Sequence, residues 1–268
     1  VINAKEIWKD IERMRSSRPL IHNITNYVVM NSTANALLAI GSSPVMAHAE
    51  EEAEEMAGLA SALVLNMGTL SPSWVSAMKK AQRKAREVGK PVIFDPVGAG
   101  ATSYRTNTAS DILAGGVTIV RGNASEILSL ESAAGGTKGV DSTAKSDNAL
   151  SAAKNLLKQG VKTVTISGET DYILSEQRTF AIRNGNAMMP LVTGLGCTAS
   201  ALTGAFAAVN PDPGEAAANA MAVMGICGEI AATNSRGPGS FQTAFIDALY
   251  NLTEKDIAAR LQAEVYDA

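Results

Sequence analysis

Only two cysteines, Cys197 and Cys227, and two histidines, His22 and His48, occur in the 268 residues. The cysteines lie far apart and match no metal-ligand spacing, so neither a disulfide framework nor a zinc centre is implied. A reducing, cytoplasmic setting is expected. No run of Lys or Arg is present and the formal net charge is −3. That balance argues against a nucleic-acid partner or an anionic membrane surface and leaves small substrates or protein partners.

The start of the chain also lacks an uninterrupted apolar stretch. The opening "VINAKEIWKDIERMRSS" alternates charge with apolar residues, which is not the pattern of a secretory signal. Residues 187–209 carry no charged side chain, over about the length a helix needs to cross a bilayer. Pro190, Gly194, Gly196 and Gly204 interrupt that stretch, and its first part reads as a strand, so no membrane span is expected. There is no G-x-x-x-x-G-K-[ST], which excludes a P-loop. No Pro/Gly/Ser linker, low-complexity tract or repeat divides the chain, so residues 1–268 are expected to form one domain.

With 46% hydrophobic and 18% charged residues, the chain reads as compact and globular. Short β-rich runs alternate with longer helical patterns, the signature of a mainly parallel sheet covered by helices on both faces, an α/β fold. The runs are "PLIHNIT", "SPVMA", "ALVLNMG", "PVIFDPV", "VTIVRGN" and "TVTISGE". Most are too apolar for solvated edges and read as central strands. "DYILS", "RTFAIRNG" and "AMMPLVTG" suggest an antiparallel addition at one edge. Between them, Trp74, Met78, Ala81, Ala85 and Val88 recur at helical spacing before Gly89, which predicts a helix that stops there. The acidic "EEEAEEM" from Glu50 reads as a helix start with a polar face. "AAGGTKGVDSTAKS" reads as a flexible surface loop.

In open parallel sheets, ligands sit beyond the carboxyl ends of the strands. "FDPVGAG" puts Asp95 there, before a glycine-rich turn whose amides suit an anion, although Asp95 also fits a plain turn cap. "VRGNASEI" adds Arg121, and Glu126 in the first turn of a helix capped by Asn123 or Ser125. One cation and two carboxylates at one sheet edge suit phosphate with magnesium. Ser167 and Gly168 of "ISGETDYI" sit after another strand, where a hairpin turn explains them equally well. "VTGLGCTASALTGAF" leads glycines and Cys197 into a helix, whose start would stabilise phosphate and lower the thiol pKa. A buried small residue is the alternative for Cys197.

Two other readings use the same residues. A Cys–His nucleophile pair requires His22 or His48, and no orienting group is evident. A dinucleotide fingerprint requires a third glycine where "GLGCTAS" has Ala199, and it requires an early position in the chain.

Taken together, "HNITNYVV", "NSTANALLAIGSSPVMAHAEEE", "ALVLNMGTLS", "FDPVGAGATSYRT", "VRGNASEI", "ISGETD", "VTGLGC" and "GPGSFQTAFIDALYNL" resemble, in order, the 4-methyl-5-(2-hydroxyethyl)thiazole kinases of the ribokinase-like superfamily. The resemblance covers nearly the whole chain and is weakest over residues 130–160. It implies a ribokinase-like three-layer α/β/α fold without a separate lid domain. The implied activity is ATP-dependent phosphorylation of the thiazole alcohol with Mg²⁺, in a homotrimer whose active sites lie at subunit interfaces. On that basis Asn26, Val28, Met46 and Gly194 bind substrate, while Arg121, Ser167, Gly194 and Gly196 bind ATP. Asp95 and Glu126 form the magnesium neighbourhood, and Cys197 takes the catalytic position, orienting the alcohol and accepting its proton late. A hydroxymethylpyrimidine or other small-alcohol kinase, and a non-catalytic nucleotide-binding subunit, are the alternatives. Three departures stand out: Ser42 where Ala is common, Ser167 for Thr, and Leu195 where Thr or Ala is expected. Leu195 is bulky, so its side chain must point away from phosphate.

Overall fold

The computed structural model describes residues 2–133 and 145–267. Most of the stretch read from sequence as a flexible loop, residues 133–146, lies outside them. The described residues form a nine-stranded sheet in the order β2-β1-β3-β4-β5-β6-β7-β8-β9. The strands are β1 (Leu20–Ile24), β2 (Ser43–Val45), β3 (Ala62–Asn66), β4 (Val92–Asp95), β5 (Ile119–Asn123), β6 (Thr163–Ser167), β7 (Asp171–Ser175), β8 (Arg178–Ile182) and β9 (Ala263–Asp267). The first six are mutually parallel, and β7, β8 and β9 add antiparallel at one side.

Side chains alternate across this sheet with period two. Val64, Ile93 and Ile119 face one core, while Leu63, Leu65, Phe94 and Val120 face the other. The first core is closed by α1 (Ala4–Ser17), α2 (Met30–Ile40), α8 (Leu195–Ala207), α9 (Pro213–Thr233), α10 (Pro238–Asn251) and α11 (Glu254–Arg260). The second is closed by α3 (Ala53–Leu59), α4 (Pro72–Glu87), α5 (Ser103–Ala114), α6 (Ala124–Ala133) and α7 (Lys145–Lys158). The three-layer α/β/α arrangement expected from sequence is therefore present.

Local chemistry sets the element boundaries. The Ser71 hydroxyl accepts from the Trp74 amide and Pro72 occupies the first helical position, so α4 starts there. Trp74, Met78, Ala81 and Ala85 are buried as the spacing predicted, but Val88 is the C-cap and 40% exposed. Glu54 and Glu55 lie in the first turn of α3, where the helix dipole favours them.

Two expectations are corrected. "AMMPLVTG" is not a strand: residues Met189–Leu191 form a single 3₁₀ turn with Pro190 near its start. Proline supplies no amide to a ladder, and the third antiparallel strand is instead β9, which pairs with β8. "SPVMA" gives an edge strand rather than a central one, and its residues are only partly buried. Pro44 is tolerated there because one side of an edge strand has no pairing partner.

The charge-free stretch from residue 187 divides between the 3₁₀ turn and α8. The one described helix long and apolar enough to cross a bilayer by length and composition is α9, and most of it is buried among the neighbouring elements.

Candidate active site

Parallel pairing brings the strand ends level. Asn66 of β3 lies in register with Asp95 of β4, and Asn123 of β5 with Ser167 of β6. Asn26 follows β1, and Met46 follows β2 at the same end of the sheet. Opposite them α8 begins at Gly194, a left-handed residue at φ 87°. A Cβ there would come within 2.7 Å of Val29 Cγ1, so glycine is required both by conformation and by space. Further along, Gly204 lets α8 settle on the sheet, since a Cβ at that point would lie 2.7 Å from Val64 Cγ2.

The first amides of α8, from Leu195 to Cys197, have no backbone partner among the described residues, and Gly194 supplies no side-chain cap. Such a start is suited to an anion. The Leu195 side chain points away from it, only 8% exposed and packed in the core. The condition that its bulk posed is therefore met.

Asp95 is the centre of the site and is buried. Its Oδ2 accepts from Asn66 Nδ2 at 2.8 Å and from the Ser200 hydroxyl at 2.7 Å, with Arg121 Nη1 4.0 Å away. Burial pushes the Asp95 carboxyl up to about 6, against the Arg121 guanidinium and the Ser200 and Asn66 hydrogen bonds. Glu126 is near enough for its charge to add to the rise. Arg121 is mostly buried and its Nε has no hydrogen-bond partner among the described residues. A cation with unspent donors beside free helix amides is an anion-binding arrangement.

Glu126 braces two strand ends. Its Oε1 accepts from the Gly98 amide at 3.0 Å, and its Oε2 from the Asn123 amide at 2.9 Å. Asn123 Oδ1 accepts in return from the Glu126 amide at 3.0 Å, which makes Asn123 the cap of α6. In the turn after Asp95 the glycine amides expected from sequence to meet an anion are already taken. Gly98 N–H is taken by Glu126, and Gly100 N–H by the Thr106 hydroxyl at 3.1 Å. A consecutive run of free amides lies instead on α8, from Leu195 to Cys197.

Cys197 Sγ accepts from Asn26 Nδ2 at 3.4 Å. Its thiol pKa is raised to about 11 by burial and by the Asp95 charge, with Asn66, Asn26 and Arg121 pulling the other way. The expectation that the thiol is lowered is overturned: desolvation and the neighbouring Asp95 carboxylate raise it. Neither histidine pairs with the thiol. His22 Nε2 is 2.6 Å from the Ala47 carbonyl, and His48 stacks on Trp74 with ring centroids 4.3 Å apart. The Cys–His reading therefore has no geometry behind it.

Asn26, Asp95, Arg121 and Cys197 are thus brought together. Glu126 and Gly194 border them, and Gly196 leaves room for Arg121, whose Nη1 would lie 3.3 Å from a Cβ at that position. The Ser167 hydroxyl donates to the Gly122 carbonyl at 3.3 Å beside Asp171, whose carboxyl is raised by burial. Met46 is partly buried, whereas Val28 is 68% exposed and stands outside the buried network.

Sequence reasoning missed Asn66, Ser200 and Arg105. Asn66 ends a strand just as Asp95 does, and Ser200 is one turn beyond Gly196, so both carried a readable positional signal. Arg105 carried none. Its guanidinium donates to the carbonyls of Met67, Val97 at 2.8 Å and Gly68 at 3.0 Å, fastening the loops after β3 and β4.

Among the described residues no three His, Cys, Asp or Glu side chains form a metal cluster. Two carboxylates flanking an anion site nonetheless fit Mg²⁺, which keeps several waters and takes one or two carboxylates together with substrate phosphates.

Known proteins resemble this chain over almost its whole length. The family model described as "Hydroxyethylthiazole kinase family" matches residues 11–255. The hydroxyethylthiazole kinase of Syntrophus aciditrophicus is 61% identical over 263 residues, covering 97% of either chain. That of Leptospira biflexa is 57% identical over 261 residues, 97% of this chain and 98% of the relative. The structure of the Pyrococcus horikoshii hydroxyethylthiazole kinase superposes with a TM-score of 0.91 at 45% identity, over 98% of this chain and 99% of that one. The pyridoxal kinase of Staphylococcus aureus, in complex with pyridoxal, shares the fold at a TM-score of 0.68 and 17% identity, over 94% and 100% of the two chains. By the family match and by the near full-length identity to these relatives alike, the chain belongs to the hydroxyethylthiazole kinase family.

Proposed function

We propose that this chain transfers the γ-phosphoryl group of ATP to the hydroxyl of 4-methyl-5-(2-hydroxyethyl)thiazole, using the strand-end site as its catalytic centre. The observation that carries this reading is the conjunction of Arg121, the unpartnered amides of α8 and the buried Asp95 at one end of the sheet. Phosphoryl transfer through a loose transition state asks chiefly for alignment and charge stabilisation, and that set provides both.

In this reading Arg121, Gly194, Gly196 and the Cys197 amide receive the phosphate oxygens, and Ser167 lies beside the nucleotide. Asp95 and Glu126 would hold Mg²⁺, which supplies neutralisation of the ATP phosphate charge. Asn26, Met46 and Val28 bind the thiazole alcohol. Its oxygen bonds to the γ-phosphorus while the bond from phosphorus to the β–γ bridging oxygen breaks. Cys197 touches the reacting hydroxyl as a neutral thiol. A group titrating near 11 is ionised in only about one part in 10⁴ at pH 7, so the proton leaves late, with the phosphoryl oxygens rather than Cys197 as its first acceptor. This replaces the proton-accepting role expected of Cys197 from sequence.

The homotrimer implied by the family resemblance belongs to this reading, and the exposed Tyr27 and Val28, 63% and 68% accessible, are apolar surface that a neighbouring subunit would cover. A single lid-less domain and a cytoplasmic setting complete the reading, and both cysteines are free. Coupled ADP release with the thiazole alcohol, hydroxymethylpyrimidine and other primary alcohols tests it. Turnover of the thiazole alcohol with the highest kcat/KM is expected. Turnover of another alcohol alone refutes the substrate, and nucleotide binding without any turnover refutes the activity.

A further inference from the structure

Orientations of Asn side-chain amides follow from their partners, and here one unambiguous donor fixes two of them. The backbone N–H of Gly68 donates to Asn66 at 2.9 Å, so the receiving atom is the oxygen, Oδ1. Asn66 Nδ2 must then be the atom that donates to Asp95 Oδ2 at 2.8 Å. The same Asn66 Oδ1 lies 2.9 Å from the Asn26 amide, which must present its nitrogen. The second hydrogen of Asn26 Nδ2 goes to Cys197 Sγ at 3.4 Å. Both Asn26 hydrogens are therefore spent inside the protein, and among the described residues its Oδ1 has no hydrogen-bond partner. Gly68 lies close to this amide and only glycine fits there, since a Cβ at that position would lie 2.4 Å from Asn26 Nδ2.

We propose that Asn66 is a positioning residue for the transfer: by locking the Asn26 amide it leaves Asn26 Oδ1 as an acceptor, which selects a substrate group that donates a hydrogen bond. The inference rests on the alcohol-kinase reading and deepens it. The free alcohol, with its O–H, is the matched ligand. Asn66 also ties this acceptor to Asp95, so the alcohol and phosphate sides are held in one hydrogen-bonded frame. Asn66 is buried, which keeps the frame away from competing water.

The probe pair is the thiazole alcohol and its 2-fluoroethyl analogue, which is close in size but cannot donate. Calorimetry on the whole protein without nucleotide is expected to give about tenfold tighter binding of the alcohol. Asn66→Ala should bring that ratio near one, because the Asn26 amide is then free to flip. Asn66→Asp should retain the ratio, since a carboxyl oxygen still receives Gly68 N–H and Asn26 Nδ2, while kcat falls because a second carboxyl group then faces Asp95. A loss of stability alone would not produce this contrast. In the unmutated protein, both Asn26 side-chain amide protons should exchange slowly by NMR, which tests the lock even where a variant fails to fold.

Equal affinity for the two probes, fast exchange of the Asn26 protons, or an Asn66→Ala protein that keeps the parent's preference for the alcohol each overturns the proposal. If the alcohol is phosphorylated and the probes bind equally, this inference alone falls. If neither probe binds, the proposed substrate falls with it.

Discussion

Replacing Asp95 with asparagine should remove a loss of stability that grows with pH, while reducing activity. The Asp95 carboxyl is buried and raised to about 6, against about 3.9 for an unfolded aspartate. Between those values the native state holds more protons than the unfolded chain, so the free energy of unfolding falls as pH rises. The favourable contribution is complete below about pH 4 and lost as pH passes the folded value. Integrating gives a cost of roughly 1 kcal/mol at pH 4.5 and roughly 3 kcal/mol at pH 8. The carboxamide of Asp95→Asn does not titrate, so the stability difference between variant and parent should grow by about 2 kcal/mol from pH 4.5 to pH 8. Any pH-independent cost of placing an amide beside Asn66 and Ser200 cancels in that comparison. Urea unfolding of both proteins, without nucleotide and with chelator present, measures it, and a steady-state assay should show kcat strongly reduced. A difference that is flat with pH, or that shrinks toward pH 8, would refute the reasoning and mean that Arg121 compensates the buried charge in full.

Three further outcomes are expected. Because the Cys197 thiol is pushed up to about 11, kcat should not rise with pH between about 7 and 9 on its account, and Cys197→Ala should cost only about tenfold, the worth of one lost polar contact. A rise of about tenfold per pH unit, or a loss in the range of roughly 10²–10⁴ typical of a general base, would restore the proton-accepting role. Arg121→Ala should raise the KM for ATP at least about tenfold with a smaller effect on the KM for the alcohol, and a change confined to the alcohol would move Arg121 out of the phosphate site. Gly194→Ala combines a positive φ with a 2.7 Å approach to Val29, and should cost about 1–3 kcal/mol. Thermal unfolding checks this, and an unchanged Tm would mean that the start of α8 relaxes freely.

Sequence by itself determined the fold class and placed Asp95, Arg121 and Ser167 toward one end of the sheet. Apolar runs ending in Asp95, Arg121 and Ser167 mark strand ends, and ligands in such sheets gather at those ends, so a positional rule sufficed. It failed where the outcome depended on partners far along the chain. "AEVYD" is a strand because β8 lies beside it, and "AMMPLVTG" is not one because Pro190 cannot join a ladder. Only tertiary structure decided which amides are free. Glu126 and Thr106 consume the Gly98 and Gly100 amides of the glycine-rich turn, and α8 keeps its own. Tertiary structure likewise set the Cys197 thiol, because desolvation and the charge of Asp95 arise only when β4 and α8 come together. Residue types fixed what chemistry was possible, and the three-dimensional arrangement of charge, burial and hydrogen bonds fixed which of it is available.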